Sequence, residues 1–168
     1  MKNNSKIKNQ MTLLVSITAL FFVASSCSPS QNENKAVFDL THAKKEIEAA
    51  NQNFMMLMSN GDSVGLADCY TVDAKMMGPN APAVIGKKNI KTEIASFIGA
   101  GIAKVELKAI DVWGTAEMLT EEGELTMFTK DGQQIEQGKY LVIWKREDNK
   151  WKIFRDMFSS DLPLPHVK

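Results

Sequence analysis

One acidic side chain in this sequence is of a type and in a setting that could do chemistry. Asp156 lies in the run Trp151–Ser160, whose β-branched and aromatic residues predict a strand. Alternation along that strand puts Phe154 and Phe158 on the same face as this aspartate, and Arg155 on the opposite face. A carboxylate between two phenylalanines loses hydration, which raises its pKa and suits it to act as a general base.

The same aspartate has a purely structural interpretation. It would accept a hydrogen bond from Tyr140, Trp113 or a helix terminus, because buried carboxylates are usually satisfied by donors in their surroundings. The residues alone leave both interpretations of Asp156 open.

Other reactive combinations are scarce. The two histidines of the chain are His42, near the start of the first predicted helix, and His166, in the tail. This separation argues against a clustered zinc or iron site and against a Ser-His-Asp or Cys-His arrangement. No glycine-rich phosphate loop of either common spacing occurs. We predict no metal site and no cofactor.

The first residues combine a basic start with an apolar stretch. Three lysines precede residues 11–24, which are apolar apart from three hydroxyl side chains. As a helix, about 14 residues would rise about 21 Å, less than the roughly 30 Å of a bilayer's hydrocarbon core. The segment therefore predicts a signal peptide over residues 1–26 rather than a permanent membrane span.

The cysteine that follows this stretch points to an anchor. Residues 23–27, Val-Ala-Ser-Ser-Cys, resemble a bacterial lipobox, in which the cysteine is acylated and becomes the mature N-terminus. Each buried methylene contributes about 0.8 kcal/mol, so several chains on Cys27 would hold the protein at a bilayer. The alternative is an ordinary cut after small residues that frees a soluble chain. Ser28, in place of a retention aspartate, favours the outer membrane.

The remaining chain has the size and charge of one ordinary domain. Residues 27–168 are 142 residues with 17 basic and 20 acidic side chains, a net charge of −3. This charge gives no support to a nucleic-acid partner. We predict a polar tether at residues 27–36, one domain at 37–162 and a tail at 163–168.

Apolar periodicity predicts helices first and strands afterwards. The predicted helices are Thr41–Asn60, a short one capped by Asp62 or Ser63 that extends through Cys69, and Lys87–Ile98. The predicted strands are Ala74–Met77, Lys104–Trp113, Met118–Thr129, Gln133–Arg146 and Trp151–Ser160, with turns at Asp131-Gly132 and at residues 147–150. This order predicts an α+β fold in which three helices pack on one face of a curved antiparallel sheet.

Several stretches resemble the NTF2-like superfamily. They are FMMLMSNGD at 54–62, LADCYTVDA at 66–74, PNAP at 79–82 and GKKNI at 86–90. The closing stretches GKYLVIWK at 138–145 and WKIFRD at 151–156 are similar to the group that includes SnoaL-like domains and ketosteroid isomerase. The resemblance covers roughly residues 41–160 and implies a cone-shaped, cystatin-like fold, which carries enzymes as well as binding domains.

The comparison with the isomerase argues against its reaction. Aligned without gaps, Phe54 takes the position of the isomerase's proton-donating tyrosine, and Gly78 takes that of its catalytic aspartate. The third catalytic position falls near Tyr140 or Leu141, neither of which is acidic. That mechanism needs a carboxylate base with a tyrosine and a protonated aspartate as its oxyanion hole, so we predict no ketosteroid isomerisation.

The resemblance also implies a mostly apolar pocket inside the cone. The predicted lining residues are Phe54, Tyr70, Asn80, Trp113, Tyr140, Phe154 and Phe158, with Asp156 among them. Our first hypothesis is a domain that binds a small apolar molecule, or serves in assembly, without turnover. The alternative is an enzyme of the SnoaL-like cyclase, hydrolase or isomerase type, in which Asp156 is the general base.

Both faces of the last predicted strand carry large apolar side chains. Alternation opposes Phe154 and Phe158 to a face that includes Ile153. At about 25 cal/mol per Å² of apolar surface, leaving one face wet would cost several kcal/mol. We therefore predict a homodimer through the outer face of the sheet that includes Ile153, with Arg155 near its rim.

Overall fold

The computed structural model describes residues 37–163. The predicted signal peptide, Cys27 and the tether lie outside the described residues, as do residues 164–168 of the tail. No helix within the described range is both long enough and apolar enough to span a bilayer.

Three helices precede most of the sheet, as predicted. They are α1 (Leu40–Ser59), α2 (Ser63–Asp68) and α3 (Lys87–Gly99). Asp39 begins α1 by accepting a hydrogen bond of 3.0 Å from the backbone N–H of His42, and Asp62 caps α2 through the N–H of Gly65 at 2.9 Å. Ala43 and Ile47 face inward from α1, and Ile90 and Ile94 from α3. These apolar stripes hold the helices against the sheet.

Six strands form one sheet in the order β2-β1-β6-β5-β4-β3. The strands are β1 (Tyr70–Met77), β2 (Val84–Ile85), β3 (Ile102–Gly114), β4 (Met118–Thr129), β5 (Gln134–Glu147) and β6 (Lys150–Ser160). The last four form an antiparallel meander. Asp148 and Asn149, both with positive φ, make the tight turn between β5 and β6.

The start of the sheet differs from the prediction in two respects. β1 lies parallel to β6, so the sheet is mixed rather than wholly antiparallel. β1 also begins at Tyr70, whereas the sequence pattern extended the second helix through Cys69 and began the strand at Ala74. The helix ends early because the backbone pairs with β6, where the N–H of Ile153 donates to the carbonyl of Cys69 at 2.8 Å.

A bulge in β6 changes which of its side chains face the helices. Ile143 pairs with Arg155 while Trp144 pairs with Ile153, so Phe154 is an extra residue in the strand. The extra residue lets both Ile153 and Asp156 face inward. Ile153 is only 5% exposed, so its predicted place on the outer face was wrong.

The concave face of the sheet and the helices enclose the apolar core. Trp144 and Leu119, which are 1% and 0% exposed, are among its largest fully buried side chains. The outer face has no cover within the described residues, and Ile110, Trp113 and Met157 are 54%, 42% and 48% exposed there. The fold therefore has one closed face and one open face.

Candidate ligand cavity

An internal cavity of about 80 Å³ lies between the helices and the concave face of the sheet. One water needs roughly 10–15 Å³ of such space, so the cavity has room for several water molecules or a small organic group. Most lining side chains are apolar, among them Phe54, Phe97, Leu125 and Val142. Of the described residues that line it, Asp156 alone carries a charge.

Asp156 is held by a single short hydrogen bond. The hydroxyl of Tyr70 donates to its Oδ2 at 2.6 Å, and Tyr70 is 1% exposed. Burial raises the pKa of Asp156 to about 6, with the charge of Glu121 adding to the rise and the Tyr70 hydrogen bond opposing it. Burial and the nearby charge of Asp156 also raise the pKa of Tyr70 well above its usual value, so Tyr70 remains a donor.

A second carboxylate, Glu121, forms a polar network behind the cavity wall. Its Oε1 accepts hydrogen bonds from Asn51 Nδ2 at 2.6 Å and from the Tyr140 hydroxyl at 2.7 Å. Its Oε2 accepts one from Trp144 Nε1 at 2.8 Å. Glu121 is 0% exposed, and burial raises its pKa while the three hydrogen bonds oppose the rise. Every partner is a donor, so Glu121 is a satisfied structural carboxylate.

Gly123 makes that network possible. A Cβ at this position would overlap the ring and the hydroxyl of Tyr140. The absence of a side chain lets the Tyr140 ring lie across the strand and reach Glu121 two residues away. Tyr140 thereby contributes a ring to the cavity wall and a hydroxyl to the network.

The structure brings five of the predicted site residues together. Phe54, Tyr70, Tyr140, Phe158 and Asp156 all line the cavity. The ring centroids of Phe54 and Tyr70 are 6.3 Å apart in an edge-to-face arrangement.

Three other predicted lining residues lie elsewhere. Asn80 is exposed in a turn with φ of 56°, where its short polar side chain suits the backbone. Trp113 lies on the outer face of β3. Phe154 is the bulged residue of β6, and the Arg155 guanidinium lies 3.5 Å from its ring centroid. Strict alternation predicted Phe154 wrongly because it does not allow for the bulge.

The hydrogen-bond partners were also predicted incompletely. Tyr70, rather than Tyr140, Trp113 or a helix terminus, donates to Asp156. Glu121 and Asn51 were not predicted. The sequence does indicate that Glu121 faces inward, because period-two alternation puts it on the same face of β4 as Leu119 and Leu125.

The ring of Phe158 occupies the space beside Gly78. Its Cζ lies 2.9 Å from the point where a Cβ on residue 78 would stand. A carboxylate at position 78 would require the ring to move.

No group of three or more His, Cys, Asp or Glu side chains that could hold a metal ion occurs within residues 37–163. Cys69 is a half-buried free thiol, and burial raises its pKa. It therefore has little thiolate character.

The fold and the cavity are those of a cone-shaped α+β domain, and sequence comparison identifies its family. The nuclear transport factor 2 (NTF2) domain profile matches residues 46–160, so the chain belongs to the NTF2 family. No curated protein matches it.

Solved structures share the fold at low sequence identity. A Nostoc punctiforme protein of unknown function with a cystatin-like fold superposes with a TM-score of 0.64 at 16% identity, over 78% of this chain and 98% of that one. An NTF2-like superfamily protein from Salmonella enterica gives 0.61 at 16% identity, over 77% and 99%. A ketosteroid isomerase-like protein from Erwinia carotovora gives 0.59 at 21% identity, over 71% and 96%. At these identities the likeness shows the fold alone.

Proposed function

We propose that this NTF2 domain binds a small, mostly apolar molecule in the internal cavity, without turnover. The observation that carries the proposal is the cavity itself, whose wall is apolar except for a few polar groups around Asp156. Concave, mostly apolar sites with a few placed polar groups are the usual form of small-molecule sites. The residues that replace the isomerase's catalytic groups, Phe54 and Gly78, favour binding over that reaction.

Methionine methyl groups offer a local test of binding. Met58, Met76 and Met127 line the cavity, whereas Met56 and Met157 are exposed outside it. We expect titration with toluene to shift the methyl NMR signals of the first three and leave those of the other two unchanged. Toluene needs more room than the 80 Å³ of the cavity, since an engineered cavity of about 150 Å³ is what holds benzene, so the flexible methionine side chains of the wall must move as it binds.

A matched pair of variants on one strand controls this experiment. Val142→Phe adds volume inside the cavity and should abolish the toluene shifts. Ile143→Phe, the next residue on the outer face of β5, should preserve them. Equal shifts in the two variants, or shifts spread over all methionines, would contradict the proposal.

A second candidate function is general-base catalysis by Asp156. The observation that favours it is a pKa of about 6 on a carboxylate that lines the cavity and is oriented by Tyr70. A base with such a pKa is largely ionised at neutral pH and still accepts a proton readily. The reaction would be of the SnoaL-like cyclase, hydrolase or isomerase type.

Asp156→Asn separates the two functions. If Asp156 is a catalytic base, we expect the unmodified protein to turn over some member of a panel of small epoxides and enolisable ketones. The rate should fall by about 100-fold or more in the variant. Unchanged toluene affinity and no turnover in either protein would support the binding function.

We further propose that acylation of Cys27 anchors the exported protein to a bacterial membrane, the outer membrane being favoured by Ser28. The support is the sequence at residues 23–27. Mass spectrometry of the membrane-extracted protein should show an acylated N-terminal cysteine. Cys27→Ser should release the protein or leave it unprocessed, whereas Cys69→Ser should leave it in the membrane fraction. An unmodified, soluble mature chain would contradict the anchor.

The open face of the sheet supports a proposal of self-association. Leu141 and Ile143 on β5 lie beside Phe154 and Met157 on β6, and all four side chains lie on the outer face. We propose that two copies pair through this surface, which excludes Ile153.

A further inference from the structure

We propose that the natural ligand of the cavity is a small apolar amine, whose ammonium group pairs with Asp156 while its apolar part lies against the aromatic wall. This inference rests on the proposed binding function and names the chemical class of the ligand.

The charge balance of the cavity is the first argument. No lysine, arginine or histidine lines it among the described residues. The neighbouring cation, Arg155, points away, since its Nη1 donates to the backbone carbonyls of Phe154 at 2.7 Å and of Asp73 at 3.3 Å. Asp156 is half-buried. Charges that lose hydration in proteins are normally paired, and Asp156 has no cationic partner within residues 37–163.

The hydrogen bonding of Asp156 is the second argument. Tyr70 occupies Oδ2, and no described residue donates to Oδ1. Every fully buried side-chain oxygen and nitrogen of the described residues has a partner. Because Oδ1 has none, it is not fully buried, and a ligand can reach it. An ammonium provides three donors for such an acceptor.

The aromatic wall is the third argument. The rings of Phe54, Tyr70, Tyr140 and Phe158 line the same cavity as Asp156. Ring faces attract a cation, and the attraction increases when the cation is desolvated. A carboxylate on the ligand would instead be repelled by the negative charge of Asp156 in the cavity and by that of Glu121 behind its wall.

The neighbouring titratable groups do not give the cavity a positive charge. Tyr70 from β1 and Tyr140 from β5 both have pKa values raised above the usual value for tyrosine, so both remain neutral donors. Glu121 from β4 is negative or neutral and never positive. The cavity therefore favours a cation whenever Asp156 is ionised.

Four probes of similar size test the inference on the full-length chain in a nonionic detergent. Toluene, benzyl alcohol, benzylamine and benzoate differ in their polar group and are titrated at pH 7.5 against the methyl signals of Met58, Met76 and Met127. We expect benzylamine to bind about tenfold tighter than benzyl alcohol, because charge-assisted hydrogen bonds are the stronger kind. Benzoate should bind most weakly.

Asp156→Asn should remove the preference for benzylamine over benzyl alcohol, which is measured within the variant as the ratio of the two affinities. Glu122→Gln, which removes an exposed carboxylate on the outer face, should preserve the preference. In the unmodified protein, lowering the pH through 6 should weaken benzylamine binding and not toluene binding, a measurement that does not depend on the variant folding.

The outcomes distinguish this inference from the function on which it rests. Toluene binding without a preference for benzylamine over benzyl alcohol would overturn the amine and retain the apolar binding site. The absence of any binding at the cavity methionines would overturn both.

Discussion

The two inward-facing carboxylates, buried Glu121 and half-buried Asp156, differ in how completely they are satisfied. Glu121 accepts three hydrogen bonds from side chains that are all donors. Asp156 accepts one, from Tyr70, and lines the cavity. A fully satisfied carboxylate orders the core, while a partly satisfied one remains available to a ligand. The two acids therefore differ in hydrogen bonding although they face the same interior, and the proposed contact with a ligand falls to Asp156.

The raised pKa of Asp156 predicts a pH dependence of stability. Its pKa is about 6 in the folded chain, against a usual value of 3.8. Between these values the folded chain keeps a proton that the unfolded chain has released, so the free energy of unfolding falls as the pH rises from 4 to 6. The fall attributable to Asp156 is up to about 3 kcal/mol.

Urea unfolding at several pH values checks this expectation. The stability of the unmodified protein should decrease from pH 4 to pH 6.5 relative to that of Asp156→Asn, which cannot titrate. Parallel stability curves for the two proteins would show that the carboxyl keeps an ordinary pKa.

Glu121 should be important for stability. Glu121→Ala leaves the buried donors of Asn51, Tyr140 and Trp144 without their acceptor, and we expect a loss of about 3 kcal/mol or more. The matched control is Glu122→Ala, because Glu122 is exposed on the other face of β4, and it should change stability by less than about 0.5 kcal/mol. Denaturant unfolding of both variants measures the difference. Similar small losses would mean that water replaces the carboxylate.

Sequence reasoning could find some of these side chains and not others. Asp156, Tyr70 and Tyr140 were recognisable by type and strand position, and alternation could have added Glu121. The pairing of Tyr70 with Asp156 was not predictable from local patterns, since it joins residues 86 positions apart. It depends on β1 lying parallel to β6, which no local pattern encodes.

At the scale of elements, long periodic segments were predictable and irregularities were not. The predicted strand Met118–Thr129 and the predicted first helix agree with β4 and, to within one residue at each end, with α1. The two-residue strand β2 has too few residues to show a period. The bulge at Phe154 leaves no mark in the sequence, because it arises from how β5 and β6 pair.

The glycine in β4 gives a prediction about how neighbouring strands fit together. Gly123→Ala places a methyl group where the Tyr140 ring lies. The ring must move and its hydrogen bond to Glu121 is lost, so we expect a destabilisation of about 1–3 kcal/mol. In a Tyr140→Ala background the same substitution should cost much less, because the obstructing ring is absent. Urea unfolding of the four proteins measures this coupling, and an equal cost in both backgrounds would contradict the explanation.

At the scale of the whole molecule, the two faces of the sheet have different environments. Helices cover the concave face, whereas the outer face presents apolar residues among lysines and glutamates. Salt bridges such as Lys108–Glu124, at 3.0 Å, keep part of that face suited to water. The mixture resembles an interface between copies, where an apolar centre has a polar rim.

Two isoleucines on neighbouring strands provide the test of self-association. Ile143 is half-buried on the outer face of β5, and Ile153 is 5% exposed in the cavity wall. For the form lacking residues 1–27, we expect light scattering at tens of micromolar to show a dimer. Ile143→Glu should give a folded monomer, because a charge at the centre of the paired surface cannot be desolvated cheaply. Ile153→Glu should instead destabilise the fold, since it buries an unpaired carboxylate in the core. A monomer in the unmodified protein, with Ile143→Glu equally stable, would show that the outer face needs no cover from a second copy.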